Sequence, residues 1–235
     1  MGSIRWLWFD LDDTLYNFQT SSLIALDCLY ERHNLSRFFP DSKCWKIIYH
    51  RFNDALWERY NVGLVDQQTL RRERFVLPLL EMGVDEGEAI QLAKQLDKEY
   101  LKEIALTGLT IPGALDLLKE AKRRGYKIGI LSNGFSEVQY DKLRSTGLIR
   151  YVDCVVLSDE IGINKPDIKL FEYALAKSGA TAEESIMIGD NPTTDIAGAQ
   201  SAGWETLLFN KERRFDDLDI NQIYSLDADN FFSKL

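Results

Sequence analysis

The sequence predicts an α/β fold: a Rossmann-like, doubly wound parallel sheet core with an inserted all-helical cap domain. A short apolar run over residues 4–9 has the character of a buried strand. Residues 16–107 then show only helical periodicity. From residue 111 onward strand and helix patterns alternate, which is typical of parallel strands with helices on both faces. The core is therefore expected to comprise residues 1–15 and 108–235, with a cap at residues 16–107.

The first strand is followed directly by Asp10, Asp12 and Thr14. Side chains two positions apart on an extended segment point the same way, so the two carboxylates are expected to lie together. One could attack an electrophile while the other moves protons, and both would attract a divalent cation. An ordinary aspartate-rich turn is the alternative. The position favours a ligand site, because such sites lie at the carboxyl ends of parallel strands.

The insert is expected to contain about four amphipathic helices. It leaves the core just after Thr14, so it should lie over the carboxyl end of the first strand, where a lid would lie. Arg71, Arg72 and Arg74 are expected on a solvated helix face, with the inner face of the cap as the alternative.

The second part of the core begins after the turn at Thr110–Gly113. Glycine follows most of its predicted helices, as is common at helix ends. The predicted strands are Lys127–Leu131, Val152–Leu157, Ser185–Ile188 and Thr206–Phe209, with a last short strand near Ile223. The predicted helices are Ala114–Arg124, Ser136–Thr146, Ile168–Ser178 and Asp195–Ala202, with a terminal helix.

Polar residues also follow the later strands. Ser132 and Asn133 could cradle an anion with a hydroxyl and backbone N–H groups, or could simply cap a turn. Lys165 could compensate the acidic strand ends. Asp190 and Asp195 would complete an acidic cluster that repels itself unless a cation is bound, although Asp195 could also be a helix cap.

These motifs, in this order at consecutive strand ends, resemble those of phosphatases of the haloacid dehalogenase superfamily. The resemblance covers essentially the whole chain, and the insert resembles the helical cap of that family. It implies Mg²⁺-dependent hydrolysis of a small-molecule phosphomonoester through an aspartyl-phosphate. The four motifs are Asp10-x-Asp12-x-Thr14, Ser132, Lys165 and Gly189-Asp190-x4-Asp195.

The resemblance also implies a role for each residue. Asp10 resembles the nucleophile, Asp12 the general acid/base, and Lys165 the residue that steadies nucleophile and phosphate. The implied substrate-binding residues are Thr14, which would also stabilise its loop, Ser132, Asn133 and Lys165. The implied metal ligands are Asp10, the carbonyl of Asp12, and Asp190, with Asp195 as a more distant partner of the metal or of Lys165.

Asp12 favours phosphoryl transfer over dehalogenation, since dehalogenases of this superfamily need neither Mg²⁺ nor a second aspartate. A narrower resemblance points to helical-cap nucleoside-5′-monophosphate phosphatases that act on pyrimidine nucleotides. Sugar-phosphate and phosphoglycolate-type phosphatases, a phosphomutase and a non-enzymatic regulator remain alternatives. The narrower match lies in Ser132–Phe135, Gln139, Leu143, Thr146–Leu148 and Ser158–Gly162 before Lys165-Pro166.

Composition limits the possible partners. The chain has 235 residues, of which 45% are hydrophobic and 28% charged, and its formal net charge is −9, so a basic footprint for a nucleic acid polymer is absent. No apolar run is long enough to span a bilayer, and no signal peptide is expected, because Met1-Gly2-Ser3 leads straight into the predicted first strand. The odd, widely spaced Cys28, Cys44 and Cys154 are expected to be reduced thiols of a cytoplasmic protein. A monomer or small homo-oligomer is expected.

Overall fold

The computed structural model describes residues 4–235. The chain divides into two compact units. The first contains the chain up to Phe18 together with Gly108–Leu235, and the second is Gln19–Thr107. Residues 1–3, which the sequence pattern assigns to the core, lie outside the described residues.

A parallel sheet with the strand order β3-β2-β1-β4-β5-β6 forms the centre of the first unit. This confirms the expected Rossmann-like sheet, including the short last strand. The strands are β1 Trp6–Phe9, β2 Lys127–Ser132, β3 Cys154–Leu157, β4 Ser185–Gly189, β5 Glu205–Phe209 and β6 Gln222–Ile223.

The register brings the polar strand ends together. Phe9, the last residue of β1, lies opposite Ile130 of β2 on one side and Ile188 of β4 on the other. Residues that follow these three strands therefore meet at one edge of the sheet, although more than a hundred residues separate β1 from β2 in the chain. The topology, rather than any local feature, assembles the site.

Both faces of the sheet are covered. The helices in chain order are α1 Phe18–Arg32, α2 Ser42–Asn61, α3 Gln67–Glu81, α4 Glu86–Leu106, α5 Ala114–Arg123, α6 Ser136–Ser145, α7 Ile168–Ser178, α8 Gly198–Ser201 and α9 Ala228–Phe232. Buried residues of α5, α6 and α9 share one apolar cluster with Leu7 and Phe9. Those of α7 and α8 share the other with Trp8. This alternation is what a central strand buried on both faces requires.

Trp8 depends on a glycine of the neighbouring strand. A Cβ added to Gly129 would lie 2.1 Å from the Trp8 ring, so only glycine leaves room for the indole. The ring is fully buried and lies 5.5 Å from the ring of Trp204. Burying a side chain of this size stabilises the fold by about 2–3 kcal/mol.

The second unit consists mainly of α2, α3, α4 and most of α1. Aspartates begin three of these helices: Asp41, Asp66 and Asp85 each accept a backbone N–H of the first turn. Inside the unit four buried aromatic side chains pack ring against ring, with centroids 5.0–6.3 Å apart: Trp45, Tyr49, Phe75 and Tyr100.

The expectation of a solvated face for all three arginines of α3 is wrong for Arg74. Its side chain is 3% exposed, and its guanidinium lies 5.3 Å from the ring centre of Phe75 and 5.0 Å from that of Tyr100. It donates to Asp97 at 2.6 Å, and Arg71 donates to the other oxygen of the same carboxylate. A guanidinium is tolerated inside a helical unit when a carboxylate and aromatic faces replace its water.

All three cysteines are free thiols, as expected. Within residues 4–235, none of the helices combines the length and the apolar character that crossing a bilayer demands.

Candidate active site

The loop after β1 is a tight turn. The carbonyl of Leu11 accepts the N–H groups of both Leu15 and Tyr16, and the N–H of Asp13 returns to the carbonyl of Tyr16. Asp13 adopts φ 57°, a left-handed conformation that aspartate tolerates better than most residues. The turn presents Asp10, whose N–H is bound by the carbonyl of Ile188, at the carboxyl edge of the sheet.

Lys165 is the central cation of this edge. Its ammonium group donates to Asp10 Oδ1 at 2.6 Å, to Asp195 Oδ1 at 2.6 Å and to the carbonyl of Leu131 at 2.8 Å. All three ammonium hydrogens are therefore used, and the side chain is only 2% exposed. Such a lysine is a fixed charge at a defined position rather than a solvated surface group.

Two carboxyl groups near Lys165, those of Asp10 and Asp190, have raised pKa values. Burial, with Asp195 and Asp12 adding to it, raises the pKa of Asp10 to about 7 even though Lys165 acts in the opposite direction. Burial and the charges of Asp195 and Asp10 also raise the pKa of Asp190 well above its usual range. Burial by itself would lower the pKa of Lys165, but Asp10 and Asp195 raise it above its ordinary value, so the lysine stays charged at neutral pH.

Three carboxylates form an oxygen cluster beside Lys165. One oxygen from each of Asp10, Asp190 and Asp195 lies within 4.8 Å of the others. A cluster of hard oxygen atoms suits Mg²⁺. Burial, with the neighbouring carboxylates adding to it, raises the pKa values of Asp10 and Asp190, and a further cation would favour their charged forms. The donor set therefore fits a divalent cation. The Thr14 hydroxyl is fully buried and donates to Asp190 Oδ1 at 3.3 Å, so it holds this carboxylate.

Asp195 is not the helix cap that the sequence allowed. Asn191 caps this helix, because its side-chain oxygen accepts the N–H groups of Thr193 at 2.9 Å and Thr194 at 3.0 Å. The helix starts earlier than expected, with a π-helical turn at Pro192–Ala197 that places Asp195 inside its first turn. The backbone N–H of Asn191 then donates to Asp195 Oδ2 at 3.1 Å, while Oδ1 faces Lys165.

The Asp12 carboxylate binds two side chains of α6. Gln139 Nε2 donates to its Oδ2 at 2.9 Å and Lys142 Nζ to its Oδ1 at 2.7 Å. It is not part of the oxygen cluster of Asp10, Asp190 and Asp195. Lys142 is a site residue that the sequence pattern did not single out. The sequence feature that could have identified it is its position three residues after Gln139, which places both side chains on the same face of α6.

The segment after β2 reaches two parts of the site. The Ser132 hydroxyl oxygen accepts Gln139 Nε2 at 2.7 Å and the N–H of Gly134 at 3.1 Å. The Asn133 side chain pairs with the backbone of Lys165: its Nδ2 donates to the Lys165 carbonyl at 3.0 Å, and its Oδ1 accepts the Lys165 N–H at 2.7 Å. The resemblance implied only that the backbone N–H of Asn133 binds phosphate. In the structure its side-chain amide also holds the backbone of Lys165 in place.

A family model of haloacid dehalogenase-like hydrolases matches residues 4–203. The chain belongs to this family. The hydrolase is 32% identical over 210 residues to the pyrimidine 5′-nucleotidase YjjG of Escherichia coli. This alignment covers 89% of the present chain and 87% of YjjG. It is 33% identical over 232 residues to a phosphoserine phosphatase of Thermus thermophilus. That alignment covers 91% of the present chain and 92% of the phosphoserine phosphatase.

Among solved structures, the magnesium-bound HAD-hydrolase YfnB of Bacillus subtilis superposes over the whole of both chains with a TM-score of 0.86 and 28% identity. These comparisons confirm the superfamily that the motifs indicated. The relatives named above differ in substrate, so the class of hydrolase is common to them and the substrate is not.

Proposed function

We propose that this hydrolase is a Mg²⁺-dependent phosphatase that acts on a small-molecule phosphomonoester through an aspartyl-phosphate on Asp10. The first candidate substrate is a nucleoside 5′-monophosphate. The observation that carries the proposal is the buried contact of Lys165 with both Asp10 and Asp195. A fixed cation against a nucleophilic carboxylate serves an anionic substrate, because it offsets the repulsion between the two negative groups.

The reaction has two steps. Asp10 attacks phosphorus, the ester P–O bond breaks, and protonated Asp12 gives its proton to the leaving oxygen. The ionised Asp12 then takes a proton from a water molecule that attacks the phosphoryl group, which breaks the P–O bond to Asp10 and releases inorganic phosphate. One acid/base thus serves both steps. Ser132 and the Asn133 N–H bind the phosphoryl oxygens, and Lys165 stabilises the charge that develops on them.

Asp10, Asp190 and the backbone carbonyl of Asp12 are the residues that would hold Mg²⁺. When bound, the ion would neutralise negative charge shared by nucleophile and substrate. Two observations support the assignment: the oxygen cluster with its raised pKa values, and the binding of magnesium by the similar YfnB. Asp195 would hold Lys165 in position and would be a more distant partner of the metal rather than a direct ligand.

The nucleotide substrate is supported by the similarity to YjjG, and the core motifs resemble those of nucleotidases. The equal similarity to a phosphoserine phosphatase favours a different small phosphomonoester as the second candidate. We assign the choice between them to the second unit, Gln19–Thr107, because the chain enters it five residues after Thr14, the last residue of the Asp10–Thr14 loop. Dehalogenation is disfavoured by the presence of Asp12 and of the acidic cluster.

Phosphate release tests the proposal directly. The protein is assayed with Mg²⁺ against pyrimidine and purine nucleoside monophosphates, phosphoserine, sugar phosphates and phosphoglycolate, with Asp10→Asn as the inactive control. We expect turnover of at least one ester by the wild type and none by the variant. Halide release from a 2-haloacid without phosphate release from any ester would establish a dehalogenase. Phosphate exchange within a sugar phosphate would establish a phosphomutase.

A further inference from the structure

Two buried polar side chains of α6, Gln139 and Lys142, engage Asp12 together. Gln139 is fully buried, Lys142 is 3% exposed, and each binds a different oxygen of the Asp12 carboxylate. We refer to these two residues as the α6 clamp. Both carboxylate oxygens are therefore held, which leaves little freedom for rotation about the side-chain bonds of Asp12.

Lys142 is further fixed by aromatic rings. Its ammonium group lies 5.2 Å from the ring centre of Tyr16 and 4.9 Å from that of Phe18. Burying an ammonium costs several kcal/mol unless opposite charge and polarisable faces replace water. The only carboxylate paired with Lys142 among the described residues is Asp12, so the position of the lysine and that of Asp12 are set together.

Gln139 connects Asp12 to Ser132. Its Nε2 carries two hydrogens, and they go to Asp12 Oδ2 and to the Ser132 hydroxyl oxygen. An ionised carboxylate accepts only, so the side-chain amide must present its nitrogen to Asp12. Gly134 makes the approach possible, since a Cβ there would lie 2.2 Å from Nε2.

The two donors orient the Ser132 hydroxyl. Its oxygen accepts from Gln139 and from the Gly134 N–H, which occupies both lone pairs. Over residues 4–235 no protein acceptor receives its hydrogen. The hydroxyl is thus prepared to donate to an anion from outside the protein.

We propose that Gln139 and Lys142 are positioning residues that hold Asp12 for proton transfer and, through Gln139, direct the Ser132 hydroxyl hydrogen toward the substrate phosphoryl group. The inference rests on the phosphatase function proposed above and assigns it two further residues. Lys142 acts on Asp12 alone, whereas Gln139 acts on Asp12 and on phosphate binding. Their substitutions should therefore have different kinetic signatures.

A series of aryl phosphates separates the two effects. Dinitrophenyl phosphate has a leaving group that needs little protonation, 4-nitrophenyl phosphate is intermediate, and phenyl phosphate needs the general acid most. Lys142→Met should lower kcat/KM for phenyl phosphate about tenfold more than for dinitrophenyl phosphate. Gln139→Met should show the same trend and also lower kcat/KM for every member. The matched control is Lys122→Met, whose lysine pairs with Asp153 before β3, at the opposite edge of the sheet.

A double-mutant cycle with Asp12→Asn completes the test. Once Asp12 no longer transfers protons, Lys142→Met should change the residual turnover of dinitrophenyl phosphate by less than about twofold. Equal losses for all leaving groups, or full additivity with Asp12→Asn, would overturn the proposal while leaving the phosphatase function intact. If Lys142→Met does not fold, Gln139→Met decides by the leaving-group trend alone: its larger loss for phenyl phosphate than for dinitrophenyl phosphate should vanish in the Asp12→Asn background, while its general loss through Ser132 should remain. Absence of phosphatase activity in the wild type would remove the proposed function and the clamp with it.

Discussion

The ammonium group of Lys165 lies 2.6 Å from Oδ1 of Asp10, although 155 positions separate the two residues in the chain. The Lys165 side chain is 2% exposed and that of Asp10 is 11% exposed, so neither charge is well solvated. A buried pair of this kind is costly to break, because removal of one partner leaves the other charge without compensation. The contact therefore links the stability of the fold to the geometry of the site.

Replacing Lys165 by methionine should impair both activity and stability. Without the cation, Asp10, Asp195 and the substrate phosphate are less compensated, and we expect kcat to fall by a factor that corresponds to about 3 kcal/mol. The free energy of unfolding should fall by about 3–5 kcal/mol, since two carboxylates lose a buried partner. Steady-state kinetics and urea denaturation measure the two effects. Lys122→Met is the control, and a Lys165→Met enzyme with activity within twofold of wild type would contradict the assigned role.

Asp10→Asn should abolish phosphate release while leaving the protein folded. The amide is a poor nucleophile, but it has the shape of the carboxylate, and burial already disfavours the charged form of Asp10. The melting temperature should stay within several degrees of that of the wild type, since Lys165 keeps Asp195 as a partner. Mass spectrometry after a substrate pulse should detect a phosphorylated protein only in the wild type. Detection of the same adduct on Asp10→Asn would place the nucleophile elsewhere.

Removal of divalent cations should abolish activity, and Mg²⁺ should restore it. The same ion should raise the melting temperature of the free protein, because under this proposal it would bind the folded acidic cluster and not the unfolded chain. Asp190→Asn should lose most of this stabilisation, whereas Asp153→Asn, at the other edge of the sheet, should keep it. Turnover that is unchanged in metal-depleted buffer, with the metal content verified, would show that the cluster works without a cation.

Gly189→Ala should disturb the site through Asp195. An added Cβ would lie 2.1 Å from Asp195 Oδ2, so the carboxylate must move away from its contacts with Lys165 and the Asn191 N–H. We expect lower kcat and weaker stabilisation by Mg²⁺ in a protein whose far-ultraviolet circular dichroism is unchanged. Ala199→Gly in α8, which lies outside these contacts, tests whether a small change nearby has the same effect. Wild-type kinetics in Gly189→Ala would mean that the position of Asp195 is unimportant.

Exchange of Gln19–Thr107 for the corresponding segment of a relative should move the substrate preference toward that of the donor. The core would retain Asp10, Lys165 and Asp190, so the requirement for Mg²⁺ and for the nucleophile should persist. A substrate panel for parent, donor and chimera measures the preference. A folded chimera that keeps the parental ranking would instead assign specificity to core segments such as Phe135–Gln139, at the start of α6.

Local patterns in the sequence were sufficient for the elements of the core. The apolar runs at β1, β2 and β4 and the helical periodicity of α5 and α7 predicted these elements to within about two residues, because hydrophobic period and glycine stops are local properties. The parallel direction of the strands also followed, since alternating strands and helices are typical of a parallel sheet with helices on both faces. Polar residues at the strand ends therefore predicted one common edge.

Side-chain partners were decided only by the tertiary structure. The sequence placed Arg74 on a solvated face, and its burial became visible only with Asp97 and the aromatic rings of the second unit in place. It also gave no reason to single out Lys142, whereas packing brings this lysine to Asp12 from 130 positions away. The sequence around a charged residue does not identify the group that will pair with it in the folded protein. Whether it is solvated or buried depends on what distant segments supply to replace water, and only the folded chain determines that.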